Sequence, residues 1–202
     1  MQSDLTGIAG LLFGLFFSAV LPGLCEEVTH RGMLLNGLRN KVGLRRALII
    51  SSVMFGLMHL NVVQFFYATC LGFIMGVMVI ATRSIWPAVI MHFTNNAIVQ
   101  YLSVANEKGW LFGNFFEALN KMLGGLPFGI IFVVLFAFVM GRIIMQVATR
   151  MMKICKTDTA DIIEIFTPSK KVKFTATEGL FYYGVLFFGI TVTIFTFMWG
   201  LF

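Results

Sequence analysis

Residues 25–32 read Cys25-Glu26-Glu27-Val28-Thr29-His30-Arg31-Gly32 and interrupt a long apolar run. The stretch from Leu5 to Leu24 carries no charged residue, and the apolar character resumes at Met33. Ionisable side chains inside an apolar segment cost several kcal/mol each by most scales, so they usually face the interior of a bundle or a water-filled cavity. The stretch is therefore interpreted as half of an active site inside a membrane.

The composition indicates a membrane protein. Of the 202 residues, 58% are hydrophobic and only 12% are charged, whereas soluble domains carry about 25% charged residues. Several apolar runs approach the ~20 residues that span a bilayer. The net charge of +6 is assigned to loops at the membrane surface, so the lipid bilayer is an expected partner and nucleic acid is not.

The predicted fold is an all-α, polytopic transmembrane bundle. Six apolar segments are drawn approximately as Leu5–Leu38, Ala47–Val63, Phe65–Ala81, Ile85–Ala105, Leu126–Ala148 and Glu178–Phe202. Residues 1–105 are predicted to form a catalytic core of four segments, and residues 106–125 an external interfacial loop. Residues 126–202 are predicted to hold two further membrane helices joined by a basic cytoplasmic loop. The first segment is so long that it must tilt, break at Pro22-Gly23, or place the glutamates nearer a membrane interface.

The Lys and Arg distribution predicts the orientation of these segments. With strict alternation, twelve of the fifteen basic residues fall in loops on one side and two on the other, while Arg31 lies within the first segment. The positive-inside rule then places the basic loops in the cytoplasm. The polar stretch Arg150–Thr177 is expected to form a hairpin or short strands, with Ile162–Phe166 as the candidate strand.

The three histidines supply a second group of polar residues. Each lies within or against an apolar segment, and helical i,i+4 spacing pairs Glu26 with His30, Glu27 with Arg31, Phe55 with His59, and His92 with Asn96. Counted from Arg39, Arg46 and Arg83 at 1.5 Å per residue, Glu26, His59, His92 and Asn96 lie ~14–20 Å from the cytoplasmic surface. That depth is near the middle of a ~30 Å hydrocarbon layer.

Such residues suit the hydrolysis of an amide bond. A carboxylate in a site of low dielectric can take a proton from water, and an imidazole can share that role. A second imidazole with a carboxamide can donate hydrogen bonds to the developing oxyanion. Glu26 with His59, and His92 with Asn96, are the two candidate pairs.

These residues resemble the three motifs of the CAAX-protease and bacteriocin-processing family (CPBP, also called Abi), which are intramembrane glutamate endopeptidases. The motifs are Glu26-Glu27-x3-Arg31-Gly32, Phe55-x3-His59 and His92-x3-Asn96, within about Leu5–Ala105. The resemblance implies that Glu26 activates water with help from His59. It also implies that His92 and Asn96 form the oxyanion site, with Glu27 and Arg31 in support. His30 departs from the family pattern, which often has Phe at that position, so a third imidazole can face the site. His30 and Phe55 are therefore further supporting candidates.

The resemblance also implies partners and a location. The expected substrate is a peptide or protein, such as a prenylated C-terminus or a leader peptide, and the expected location is a bacterial cell membrane. No cofactor is expected. The alternative is a divalent metal such as zinc, with Glu26, Glu27, His59 and His92 as ligands.

Two structural interpretations and one functional alternative remain open. Glu27 and Arg31 suit an ion pair that neutralises itself on one helix face, and Cys25 suits an apolar filler better than a nucleophile. The functional alternative is a non-catalytic bacteriocin-immunity or regulatory membrane protein of the same family. It is motivated by the single segment that precedes the glutamates.

Overall fold

A computed structural model describes residues 7–122 and 126–167, together with residues 175–177, 180, 184, 187 and 191. All regular secondary structure in these ranges is helical, which confirms the predicted fold class. The helices are α1 (Ile8–Val42), α2 (Leu44–Leu57), α3 (Val62–Thr82), α4 (Trp86–Lys108), α5 (Phe115–Met122), α6 (Leu126–Cys155) and α7 (Thr159–Phe166). Most of the predicted sixth segment, Glu178–Phe202, lies outside the described residues.

Two of these helices are long and apolar enough to cross a membrane, namely Ile8–Val42 and Gln64–Thr82. Many large apolar side chains on α1 are exposed, including Leu12, Phe13 and Phe17, as expected for a surface in contact with lipid. The 14 residues of α2 extend only ~21 Å, less than a ~30 Å hydrocarbon layer. The full six-segment bundle and its four-helix core stay predictions.

Helix α1 continues through Pro22, so the alternative of a break at Pro22-Gly23 is wrong. Two stretches of π-helix, Phe16–Val20 and Val28–Leu35, accommodate the irregularity. Each wider turn adds a residue without interrupting the helix, and π-helical turns are frequent at functional sites. The second stretch holds His30 and Arg31, both buried.

Helices α2 and α3 form a tightly packed hairpin. A β-carbon on Gly72 would lie 3.2 Å from Cδ1 of Phe55, and one on Gly76 would overlap the side chain of Leu48. The spacing Gly72-x3-Gly76 therefore permits the close helix contact expected of small residues in membrane helices. The predicted segment Ala47–Val63 is not one helix, because α2 ends at Leu57 and α3 begins at Val62.

The polar stretch after α6 differs from the prediction. Residues Thr159–Phe166 form the helix α7, so the predicted strand at Ile162–Phe166 is wrong. The side chain of Asp158 accepts a hydrogen bond from the Ala160 amide at 2.9 Å and caps the helix N-terminus. A short apolar run is compatible with either a strand or a helix. Here the N-cap at Asp158 favours the helix.

The chain divides into two compact units by its contacts. Unit 1 consists of Met1–Cys25 and Val89–Arg150, and unit 2 consists of Glu26–Ala88 and Met151–Phe202. The first two motifs lie in unit 2 and the third lies in unit 1. The predicted boundaries at residues 105 and 125 stay predictions.

Candidate active site

The centre of unit 2 holds a completely buried ion pair. Nη1 of Arg31 donates to Oε1 of Glu27 at 2.7 Å, and neither side chain is exposed to solvent. Nη2 of Arg31 donates to the carbonyl oxygen of Gly72, 3.0 Å away on α3. The pair expected from i,i+4 spacing is thus confirmed, and it also ties α1 to α3.

The ring of Phe55 brings the first two motifs together. Cζ of Arg31 lies 4.5 Å from the centre of this buried ring, within the range of a cation–π interaction. The rings of His30 and His59 meet it edge-to-face, with centroid separations of 5.2 and 5.1 Å. Phe55 is therefore a shared packing surface that fixes the relative positions of both imidazoles and the guanidinium.

His59 lies in the turn between α2 and α3, not on the helix that the spacing predicts. Its amide bonds to Gly56 O at 3.2 Å, and Leu60 adopts a left-handed conformation with φ of 53°. Nδ1 of His59 lies 2.8 Å from the carbonyl oxygen of Phe55. A carbonyl only accepts, so Nδ1 carries the proton and, in the neutral ring, Nε2 keeps its lone pair for an acid–base role.

His30 is held in the same way. Its Nδ1 lies 2.9 Å from the carbonyl oxygen of Glu26, so the Nδ1 proton is again used and Nε2 is the acceptor in the neutral ring. The side chain is 5% exposed. The two imidazoles that flank Phe55 therefore both use the Nδ1 proton in a bond to a backbone carbonyl.

The two glutamates differ in their surroundings. Glu27 is completely buried and paired with Arg31, whereas the adjacent Glu26 is only partly buried. A carboxylate locked in a buried ion pair cannot readily take a proton from water, because losing its charge would leave Arg31 uncompensated. Of the two, Glu26 is the one suited to a general base.

The third motif is arranged in unit 1. His92 on α4 is buried, and Nδ2 of Asn96 donates to the carbonyl oxygen of Ser18 on α1 at 2.9 Å. Pro22 has no N–H to offer the carbonyl four residues before it, which is that of Ser18. Asn96 thus supplies this carbonyl with a donor. Asn95 donates to Oδ1 of Asn96 at 3.1 Å.

The side-chain amide of Asn96 has a second N–H group besides the one that binds Ser18. Its Nδ2 carries two N–H groups, and the bond to Ser18 uses one of them. One donor can therefore serve an oxyanion. Whether His92 and Asn96 face Glu26 stays a prediction.

A metal site would require several possible ligand side chains to lie close together. Within the described ranges, no three His, Cys, Asp or Glu side chains form a group that could hold a metal ion. The side chains of Cys25, Cys70 and Cys155 are all exposed. The described residues therefore add no support to a zinc site, and a chelator experiment tests it.

Comparison with known proteins bears on the same segment. Residues 8–98 match the family model described as Rce1-like, type II CAAX prenyl endopeptidase Rce1-like. These residues are therefore similar to the Rce1-like family. The resemblance inferred from the three motifs is confirmed, since the matched range contains all of them.

A curated relative agrees with the family match. The chain is 24% identical over 110 residues to the "Putative membrane peptidase YdiL" of Bacillus subtilis (strain 168). The alignment covers 54% of this chain and 45% of that protein, so the chain spans about half the length of the relative it matches. No solved structure matches the chain. The description of the family model names an endopeptidase and the name of the relative a membrane peptidase, whereas the activity of this chain and the residues that carry it are matters of proposal.

One contributor to the candidate site was missed from the sequence. Gly72 supplies the carbonyl oxygen that binds Arg31, and it leaves room for the guanidinium to approach. The Gly72-x3-Gly76 spacing indicated close packing, but nothing in it identifies the partner.

Proposed function

We propose that the protein is an intramembrane endopeptidase that hydrolyses a peptide bond with a glutamate-activated water. Glu26 takes the proton from water and His59 shares that role through Nε2. His92 and Asn96 donate hydrogen bonds to the oxyanion. Four neighbouring residues hold the general base Glu26 and its partner His59 in position, namely Glu27, Arg31, His30 and Phe55.

The observation that carries this proposal is the convergence of two motifs on the Phe55 ring. Arg31 and His30 from α1 and His59 from the α2–α3 turn contact one ring. Catalysis needs such groups held within a few tenths of an ångström by packing and hydrogen bonds. The buried pair of Glu27 and Arg31 supplies rigidity, while Glu26 as a residue is only partly buried.

The substrate is proposed to be a peptide or protein segment that enters the membrane, such as a prenylated C-terminus or a leader peptide. The organism of the relative supports a bacterial membrane. The distribution of Lys and Arg supports cytoplasmic basic loops. No cofactor is part of the proposed mechanism.

The test is cleavage of a peptide library by the purified full chain in detergent. Wild type is compared with Glu26→Gln and with Glu117→Gln, a control that changes an exposed glutamate on α5. Loss of a positioned general base lowers rates by about 10²–10⁴-fold. We expect that loss for Glu26→Gln alone, with the thermal unfolding midpoint retained.

The proposal fails if folded Glu26→Gln cleaves as fast as wild type. Each sample is also treated with a chelator. Loss of wild-type cleavage on chelation would assign Glu26 and the histidines to a metal site instead.

A second candidate is a non-catalytic immunity or regulatory protein. The bond from Asn96 to Ser18 favours it, because that bond gives Asn96 a structural use that needs no chemistry. Complementation of the cellular phenotype separates the two candidates. A regulatory protein would tolerate Glu26→Gln, whereas a protease would lose its function.

A further inference from the structure

Unit 2 contains a polar cavity that the proposed mechanism does not use. Its volume is about 380 Å³, within the ~300–1,000 Å³ of small-molecule sites. The polar residues that line it are Arg31, Asn36, Arg39, Arg83, Ser84 and Asp161. They come from α1, from the α3–α4 connection and from α7.

The charges around this cavity favour an anion. Three of its four ionisable lining residues are arginines, and the fourth is Asp161. Glu27 compensates Arg31, so Arg39 and Arg83 face the single carboxylate. Arg83 lies 3.8 Å from Asp161, and their side chains are 61% and 25% exposed. A pair that long and that solvated is weak, which leaves Arg83 able to bind a stronger acceptor.

The depth of the cavity matches the headgroup region of a bilayer. The candidate span Gln64–Thr82 ends directly before Arg83, and the span Ile8–Val42 ends three residues after Arg39. If these spans cross the bilayer, both arginines are expected where the hydrocarbon layer gives way to lipid phosphates. Basic pockets at this level between membrane helices are suited to anionic headgroups.

Helix α7 makes the cavity a pocket instead of an open patch. Oε1 of Glu164 accepts the Leu44 amide at the start of α2, 2.7 Å away. The hydroxyl of Thr157 donates to Ala81 O near the end of α3 at 2.8 Å. These two bonds anchor α7 to the hairpin and hold Asp161 at the cavity wall.

We propose that this cavity binds the phosphate of an anionic phospholipid headgroup. The guanidinium groups of Arg39 and Arg83 present paired N–H donors that match phosphate oxygens. Asp161 can then accept a hydrogen bond from a headgroup hydroxyl, such as those of phosphatidylglycerol, and the Ser84 hydroxyl can accept or donate one. The negative charge of Asp161 repels an anion that has no hydrogen-bond donor to offer to its carboxylate.

The test uses the delipidated full chain in dodecyl maltoside. Dioctanoyl phosphatidylglycerol, dioctanoyl phosphatidylcholine and inorganic phosphate are each titrated while the thermal unfolding midpoint is measured. A ligand that binds only the folded state raises that midpoint. The variant is Arg39→Gln/Arg83→Gln. The control is Lys41→Gln/Lys153→Gln, which removes two exposed positive charges outside the cavity lining.

Phosphatidylglycerol should raise the midpoint of wild type and control, and the arginine variant should need at least ~10-fold more lipid for the same rise. Phosphatidylcholine should have little effect. Should the double variant fail to fold, Arg39→Gln alone, at an exposed site, is expected to weaken binding several-fold.

Three results would overturn the proposal. The first is no response of wild type to phosphatidylglycerol. The second is an equal response in all three proteins, which would mean charge attraction without a site. The third is saturation by inorganic phosphate with no further effect of the lipid, which would assign the cavity to free phosphate.

Discussion

Nη1 of Arg31 lies 2.7 Å from Oε1 of Glu27, and neither side chain has any contact with solvent. The same guanidinium reaches the Gly72 carbonyl and covers the Phe55 ring. Because a buried ion pair gains little over apolar residues of the same shape, its retention here is better explained by positioning than by stability. Arg31 therefore connects α1, α2 and α3 within unit 2.

Removal of Arg31 alone should destabilise the protein strongly. Arg31→Met leaves Glu27 buried without its cation, and breaking such a pair costs about 3–5 kcal/mol. The double variant Arg31→Met/Glu27→Gln should recover much of that loss, because no isolated charge remains. Denaturant titration in mixed micelles measures the free energy of unfolding. The control Lys153→Met removes an exposed charge from α6. A double variant no more stable than Arg31→Met would contradict this account.

Gly72 should not tolerate a methyl group. In Gly72→Ala the new carbon would lie 2.9 Å from Nη2 of Arg31 and 3.2 Å from Cδ1 of Phe55, so the guanidinium or the ring must shift. Overpacking of this kind costs about 1–3 kcal/mol. We also expect slower cleavage, since the Phe55 ring that would be displaced packs against the imidazole of His59.

The matched control for that change is Gly141→Ala on α6, where a β-carbon meets nothing within 4 Å. It should be neutral or slightly stabilising, because Ala is the better helix former. Equal unfolding midpoints for the two variants would show that the close approach at Gly72 is not tight.

His59→Ala should lower the cleavage rate by about 10²–10⁴-fold, the contribution of a positioned acid–base group. Stability should change little, because His59 lies in a turn and is only partly buried. The measurement is kcat with a cleaved library peptide, beside Gln64→Ala at an exposed position of α3. An unchanged kcat in folded His59→Ala would remove the imidazole from the mechanism.

Glu164 should stabilise α2 from a distance of 120 residues in the chain. Glu164→Leu removes the acceptor of the Leu44 amide, and loss of a helix cap costs about 0.5–2 kcal/mol. The unfolding midpoint should fall, whereas Glu117→Leu on α5 should leave it nearly unchanged. Identical midpoints for the two variants would mean that water replaces the cap without loss.

Local features of this site could be predicted from the sequence, and long-range ones could not. The pair of Glu27 and Arg31 follows from i,i+4 spacing on one helix. The strand predicted at Ile162–Phe166 was wrong because a five-residue apolar run fits either type of element. The cap at Asp158 was the signal that would have favoured a helix.

The sequence by itself determined the helical class, the apolar segments, the three motifs and the resemblance to the family. These properties depend on composition and on short spacings, which the chain carries without folding. Only the tertiary structure decided that Gly72 binds Arg31, that Asn96 serves the carbonyl of Ser18, and that α7 closes a basic cavity. Each of these contacts joins residues at least 41 positions apart. Helix packing, not local propensity, brings such residues together.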